Sequence, residues 1–201
     1  MDHGNPKKRP YHHGDLCRAI LDAAERRLET GGLQAVTVRA CARDAGVSPG
    51  APLHHFGSLR GLLSALAARG FERLLARLDA DLAAPDVRAP ASLLVGAYVA
   101  FAVSSRPLFD LMWRDEVLDP EHDELVHSRR AALERLQALS AVSQHGREAR
   151  LRAIRTWSLA HGLAMLLLHG RIVTALGSEE DALRTIEDFV TLAYDDRFSG
   201  D

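Results

Sequence analysis

The chain has 201 residues, 47% hydrophobic and 26% charged, a formal net charge of -2 and two cysteines. That balance is enough to build a real core and excludes disorder except at the ends. No apolar run approaches the roughly 18–20 residues needed to span a bilayer, and the N-terminal MDHGNPKKRP is polar, so a cytoplasmic protein with no membrane partner is expected.

In that compartment Cys17 and Cys41 stay reduced and serve as small core residues. Charge is unevenly distributed. Residues 1–70 hold ten Lys/Arg against six Asp/Glu, and the remainder hold fifteen against twenty-one. The N-terminal third is therefore the basic part, the polarity needed by a protein that docks one end on phosphates.

Lys7, Lys8 and Arg9, between two prolines, form a basic arm suited to tracking a phosphate backbone or entering a minor groove. A first helix is predicted over about Asp15 to Glu29, where Leu16, Ile20, Ala23, Ala24 and Leu28 make one stripe before Gly31-Gly32 end it. In TVRACARDAGVSPGAPLHHF, Thr37 is placed to cap a short helix whose apolar residues Val38, Cys41 and Ala42 share a face. Gly46 then supplies a left-handed turn, with Val47 as the plug behind it. Ser48-Pro49 starts a second short helix, predicted from about Pro49 to His54. Two short helices in this order are a helix-turn-helix, the unit that carries its second helix into a major groove.

After Gly57, Ser58 caps a long helix expected to end before Pro85. Pro90 opens an apolar helix through Ala102, and Arg106-Pro107 opens a shorter one containing Leu108, Phe109, Leu111, Met112 and Trp113. Asp119-Pro120-Glu121 starts a helix running to about Val142. The last two helices are predicted over about Arg147 to His169 and Ser178 to Asp195, the second opened by the capping sequence SEED. The fold class is all-α: a three-helix DNA-binding unit over 11–57 and a helical domain over 58–201, about nine helices, behind a basic arm over 1–10.

Residues 11–63 resemble the DNA-binding domain of the TetR family of bacterial transcriptional regulators, from the opening GDLCRAILDAAERRLETGG through TVRACARDAGVS to the His-Phe pair before a long helix. TWSLAHGLAMLLLHG, Thr156 to Gly170, resembles the Trp-x-x-x-His-Gly helix in the C-terminal domains of one TetR subgroup. The resemblance implies a regulator, a repressor by the family default, that binds a palindromic double-stranded operator as a homodimer and is released by a small apolar or aromatic ligand. Candidate DNA contacts are Thr37, Arg39, Ser48, Gly50, Ala51, His54, His55 and Arg60, with the arm. Small residues at the head of the second helix let its backbone approach base edges, while arginine and histidine reach guanine or phosphate.

Two positions depart from the family pattern. Leu53 stands where most members carry a phosphate-bonding tyrosine, and Leu59 where most carry a lysine. Arg60 is adjacent to the second, rotated by roughly 100° around the helix. These changes shift the grip onto Arg39, Arg60, the histidines and the arm. They also keep open an alternative, a ligand-binding protein of this fold whose DNA affinity is weak or lost.

In the C-terminal region Tyr98, Phe101, Phe109, Met112, Trp113, Trp157, His161 and Met165 are the candidate walls of an effector pocket. Dimerisation follows from geometry, because one recognition helix reads few base pairs while a two-fold pair about 34 Å apart reads a palindrome. Ala160, Ala164, Leu167, Leu168, Leu183, Ile186, Phe189 and Val190 are its candidate interface. Nucleophile elbow, phosphate loop, dinucleotide loop and His-Glu-x-x-His are all missing, so no catalytic, cofactor or metal role is expected. The acidic cluster from Asp119 to Glu124 with His127 reads as a solvated first helical turn.

Overall fold

A computed structural model describes residues 13–83, 90–140 and 146–194; among them stand ten α-helices, one 3-10 turn and no strand. The basic arm, Lys7, Lys8 and Arg9, lies outside the described residues. Helix α1 (His13–Gly31) buries the stripe Ile20, Ala23, Ala24 and Leu28. A 3-10 turn (Leu33–Ala35) leads into α2 (Val38–Asp44), where the Thr37 hydroxyl accepts a hydrogen bond from the Ala40 amide at 3.3 Å.

Helix α2 ends as its sequence demands. Gly46 has φ +68°, its amide donates to the Arg43 carbonyl and the Val47 amide to that of Ala42. This paired arrangement satisfies carbonyls that the helix end would otherwise leave bare. Helix α3 (Ala51–Phe56) begins two residues later than the Pro49 start expected. Ser48 to Ala51 form a turn closed by Ala51 donating to the Ser48 carbonyl, and the proline inside the first helical turn is Pro52. That ring is fully buried, so the residue that starts α3 also anchors it.

Helix α4 (Leu59–Leu82) is capped by Ser58, whose hydroxyl accepts from the Gly61 amide at 3.0 Å. It runs through both halves of the protein and packs on α1, α3, α5 (Pro90–Ser104), α6 (Arg106–Met112) and α7 (Asp123–Ser140). Helix α5 is apolar on more than one face because α4, α7, α8 (Arg147–Leu168) and α10 (Glu179–Ala193) pack around it. One continuous core links Ile20 and Cys41 to Leu62, Leu66, Phe109 and Ala164; a smaller one gathers Leu78, Leu94, Ala97, Leu136 and Ala153. An ion network ties α1 to α4: Glu25 accepts from Arg69 at 3.2 Å and from Arg73, and Asp22 from Arg69 at 2.6 Å. Glu25 is nearly buried, where an unpaired carboxylate would be costly, so the arginines hold it in register.

Three further expectations are corrected. Helix α7 starts at Asp123, since residues from Asp115 to Glu121 are taken up in turns and in a loop bonded to α4. Trp113 caps α6 rather than lying within it. A tenth helix, α9 (Arg171–Leu176), lies between Gly170 (φ +68°) and Gly177 (φ +92°), where a turn at Gly177 is all that the sequence predicts. No single helix among the described residues is long and apolar enough to cross a membrane.

Candidate DNA interface and effector cavity

Helices α2 and α3 pack on each other and on α1, with Cys41, Ala42 and Pro52 inward. Burial pushes the Cys41 thiol pKa up, which fits a core residue. Thr37, Arg39, Ser48, Gly50 and His54 are exposed around the two short helices, and Ala51 and His55 are half-buried. His55 stacks edge-on with His54 and Phe56, their ring centroids 5.3 and 6.5 Å away. Leu53 is 49% exposed and Leu59 37%, so both leucines lie on the surface instead of filling the core.

Arg60 has another engagement. Its Nε and Nη2 donate to the Leu118 carbonyl at 3.1 and 2.5 Å, binding the first turn of α4 to the segment between α6 and α7. One turn later the buried Ser64 hydroxyl accepts from the Asp119 amide at 2.8 Å. The same turn of α4 grips the recognition helix: a Cβ on Gly61 would lie 2.0 Å from the Phe56 carbonyl oxygen. The first turn and a half of α4 therefore contacts both α3 and residues 118–119.

The segment that holds Arg60 begins at a cavity of about 320 Å³ between α4, α5, α7 and α8. Tyr98, Trp113 and Trp157 line it, together with α4 and α7 residues that are not among the candidate walls read from the sequence: Phe71, Leu74, Leu78, Arg129, Leu133 and Leu136. Their helical spacing looked like ordinary core, and nothing local shows that a core stripe fronts an empty volume. Phe109, His161 and Met165 instead border a more open groove of about 560 Å³ that runs to Leu28 and Leu33 and shares Trp113 with the cavity. Phe101 and Met112 line neither and are buried in packing, Met112 against the bare backbone of Gly70.

Aromatic rings connect the two spaces. Trp113 lies 5.5 Å from Phe71, 5.8 Å from Trp157 and 5.0 Å from His161, centroid to centroid. Tyr98 Oη and His161 Nδ1 are 2.9 Å apart. Burial holds the Tyr98 phenol well above its ordinary range and pushes the His161 imidazole below its usual 6.5. A protonated phenol can then donate to Nδ1 of a neutral ring carrying its proton on Nε2. The linkage has a definite sign: below about pH 6.5 the unfolded chain binds a proton that the folded ring still resists, so stability falls as pH drops through that window. Thermal melts between pH 7 and 5 are expected to show a steeper loss for the wild type than for His161→Gln; equal slopes would show that the ring is not held neutral.

Ala160, Ala164, Leu167, Leu168, Ile186 and Val190, all assigned to the dimer interface, are buried within the subunit, and Leu183 is half-buried. Only Phe189 of that set is exposed. The outward face of α8 carries Leu151, Ile154, Ser158, Gly162 and Leu166, three or four residues apart, and that of α10 carries Thr185, Phe189 and Leu192. On Gly162 a Cβ would meet open space.

Two short helices anchored on a long one, followed by a helical domain around an apolar cavity, define a two-domain, all-helical helix-turn-helix protein. Residues 20–66 match the model of bacterial regulatory proteins of the tetR family, and residues 91–190 that of the tetracyclin repressor-like C-terminal domain. The chain thus joins a TetR-family N-terminal domain to a TetR-like C-terminal domain and has the fold of that family's transcriptional regulators. Among solved structures it is similar to a protein of unknown function from a Rhodococcus species, with 31% identity, 93% of this chain and 99% of that one covered, and a TM-score of 0.73. The fold is shared with the TetR family transcriptional regulator PfmR from Thermus thermophilus (20% identity, coverage 87% and 96%, TM-score 0.58). It is also shared with the multidrug binding protein EbrR, solved with imidazole (22% identity, coverage 92% and 95%, TM-score 0.58). No curated protein matches the sequence.

Proposed function

We propose that this protein is a transcriptional repressor that binds a palindromic operator as a homodimer and is released when a small apolar or aromatic ligand enters the cavity beside Trp113. Residues 11–57 form the DNA-binding domain, the arm before them adds backbone contacts, and residues 58–201 hold the effector site and the dimer interface. The observation that carries the reading is the continuity of one segment. Trp113 and Asp115 line the cavity, while Leu118 and Asp119, a few residues on, hold Arg60 and Ser64 of the helix that grips α3. A ligand that moves Trp113 therefore acts on the helix-turn-helix through hydrogen bonds already in place, favouring a head spacing that no longer matches the operator. The Trp157–His161–Gly162 stretch serves both roles, its rings toward the cavities and Gly162 outward.

Exposed Leu53 and Leu59, with Arg60 engaged by Leu118, support a second reading in which DNA affinity has been lost. Gel retardation of the region upstream of the protein's own gene separates the two. We expect binding at low salt that weakens about a thousand-fold between 50 and 200 mM, the loss for roughly six neutralised phosphates. No retardation at low salt would favour the second reading.

A further inference from the structure

Among the fourteen described residues that line the 320 Å³ cavity, Arg129 and Asp115 are the charged ones. Arg129 belongs to α7, its guanidinium carbon 5.9 Å from the centre of the Phe71 ring, and its Nη2 donates to the Met112 carbonyl at 3.1 Å and to Asp115 Oδ1 at 2.6 Å. The two ends of that ion pair differ: the Asp115 side chain is 81% exposed and that of Arg129 31%. Water competes strongly for the aspartate, so the pair is weak and its acid is replaceable.

The cation stands at one end of the cavity. Helices α4 and α7 run side by side in the same direction, since Phe71 meets Arg129 and, further along both, Asp79 pairs with Arg135. From Phe71 and Arg129 to Leu78 and Leu136 is seven residues on each helix, roughly 10 Å of wall at 1.5 Å per residue. Rings of Phe71 and Trp113 surround the charged end, and Leu78, Leu94 and Leu136 close the other. Trp113 Nε1 is buried beside the Tyr98 phenol and makes no hydrogen bond of ordinary geometry among the described residues.

Resting on the ligand-regulated reading above, we propose that the effector is a medium-chain amphipathic carboxylate. Its head displaces Asp115 from Arg129 and its chain lies along the trough between α4 and α7. A pure hydrocarbon offers the Arg129 cation no acceptor, and an amine would face it with like charge.

The test is calorimetric titration of the full-length protein with decanoate, 1-decanol and decylamine. We expect decanoate to bind at least ten-fold more tightly than decanol, and decylamine more weakly than both. Arg129→Gln should lose that ten-fold for decanoate and keep its decanol affinity. Asp115→Asn, a change at an exposed side chain that cannot threaten the fold through burial, should strengthen decanoate several-fold by freeing the cation. Decanol binding as tightly as decanoate, or decanoate affinity indifferent to both substitutions, overturns the carboxylate while leaving an apolar effector standing. If none of the three binds, and melting temperatures stay flat across an apolar library, the ligand-regulated reading falls with it.

Discussion

Gly61→Ala is expected to lower the melting temperature by roughly 2–8 °C and operator affinity at least ten-fold, because overpacking costs up to about 3 kcal/mol and a chain of 201 residues shifts by about 2–4 °C per kcal/mol. The added methyl group would sit 2.0 Å from the Phe56 carbonyl oxygen and 3.1 Å from its carbon, both backbone atoms with no rotamer to escape into. Either α3 swings away from α4 or the Gly57 turn (φ +70°) opens, and both displace the recognition helix. The higher helix propensity of alanine, about 1 kcal/mol, works against this loss and is outweighed by the clash. Gly96→Ala is the matched control: Gly96 is a helix-interior glycine whose Cβ would meet nothing within 4 Å, so its Tm should rise. Thermal melts and gel retardation on both variants decide the matter. A Gly61→Ala protein that binds DNA like the wild type would show that α4 does not hold α3 through this contact.

What was legible in the sequence was local chemistry. Thr37, Ser58 and Ser178 all accept the amide hydrogen bonds their positions announced, and Gly46 makes the left-handed turn. These signals act within four residues, so one sequence displays them. The start of α7 was not legible because Asp119-Pro120-Glu121 is a sound helix opening on its own; the Asp119 amide donates instead to Ser64, fifty-five residues earlier. Arg60 likewise looks like a free phosphate ligand until Leu118 folds beside it. The cavity was half legible. Aromatic residues on α5, α6 and α8 suggest a pocket, but its α4 and α7 walls use leucines at the spacing of any buried stripe.

The interface residues show the same limit on a helix apolar over much of its circumference. In LAMLLLHG one position turns a side chain by about 100°, and only packing decides that Leu167 and Leu168 face inward while Leu166 is 46% exposed. The burial of Ala160, Ala164, Ile186 and Val190 moves the proposed dimer contact to the opposite stripes: Ile154, Ser158, Gly162 and Leu166 on α8, and Thr185, Phe189 and Leu192 on α10. Gly162 at the middle of the first stripe lets a partner helix approach closely.

Leu166→Asp combined with Phe189→Asp is therefore expected to yield a folded monomer that no longer retards operator DNA. Both side chains are nearly half exposed within the subunit, so the monomer itself should shift by only about 0.5 kcal/mol. In a two-fold interface each change occurs twice, so four carboxylates would enter an apolar contact, and Arg155 on the same face of α8 is already stacked on the Tyr194 ring, 5.5 Å from its centre. Burying unpaired charge costs several kcal/mol per group, more than the association of two subunits can absorb. A lone recognition helix then loses the second half-site, and operator affinity should drop by about three orders of magnitude, toward the non-specific level. Light scattering at micromolar protein reads the mass, and gel retardation reads the binding. Dimers that persist in the double variant would place the interface elsewhere; monomers that still grip the operator would show that one helix-turn-helix suffices.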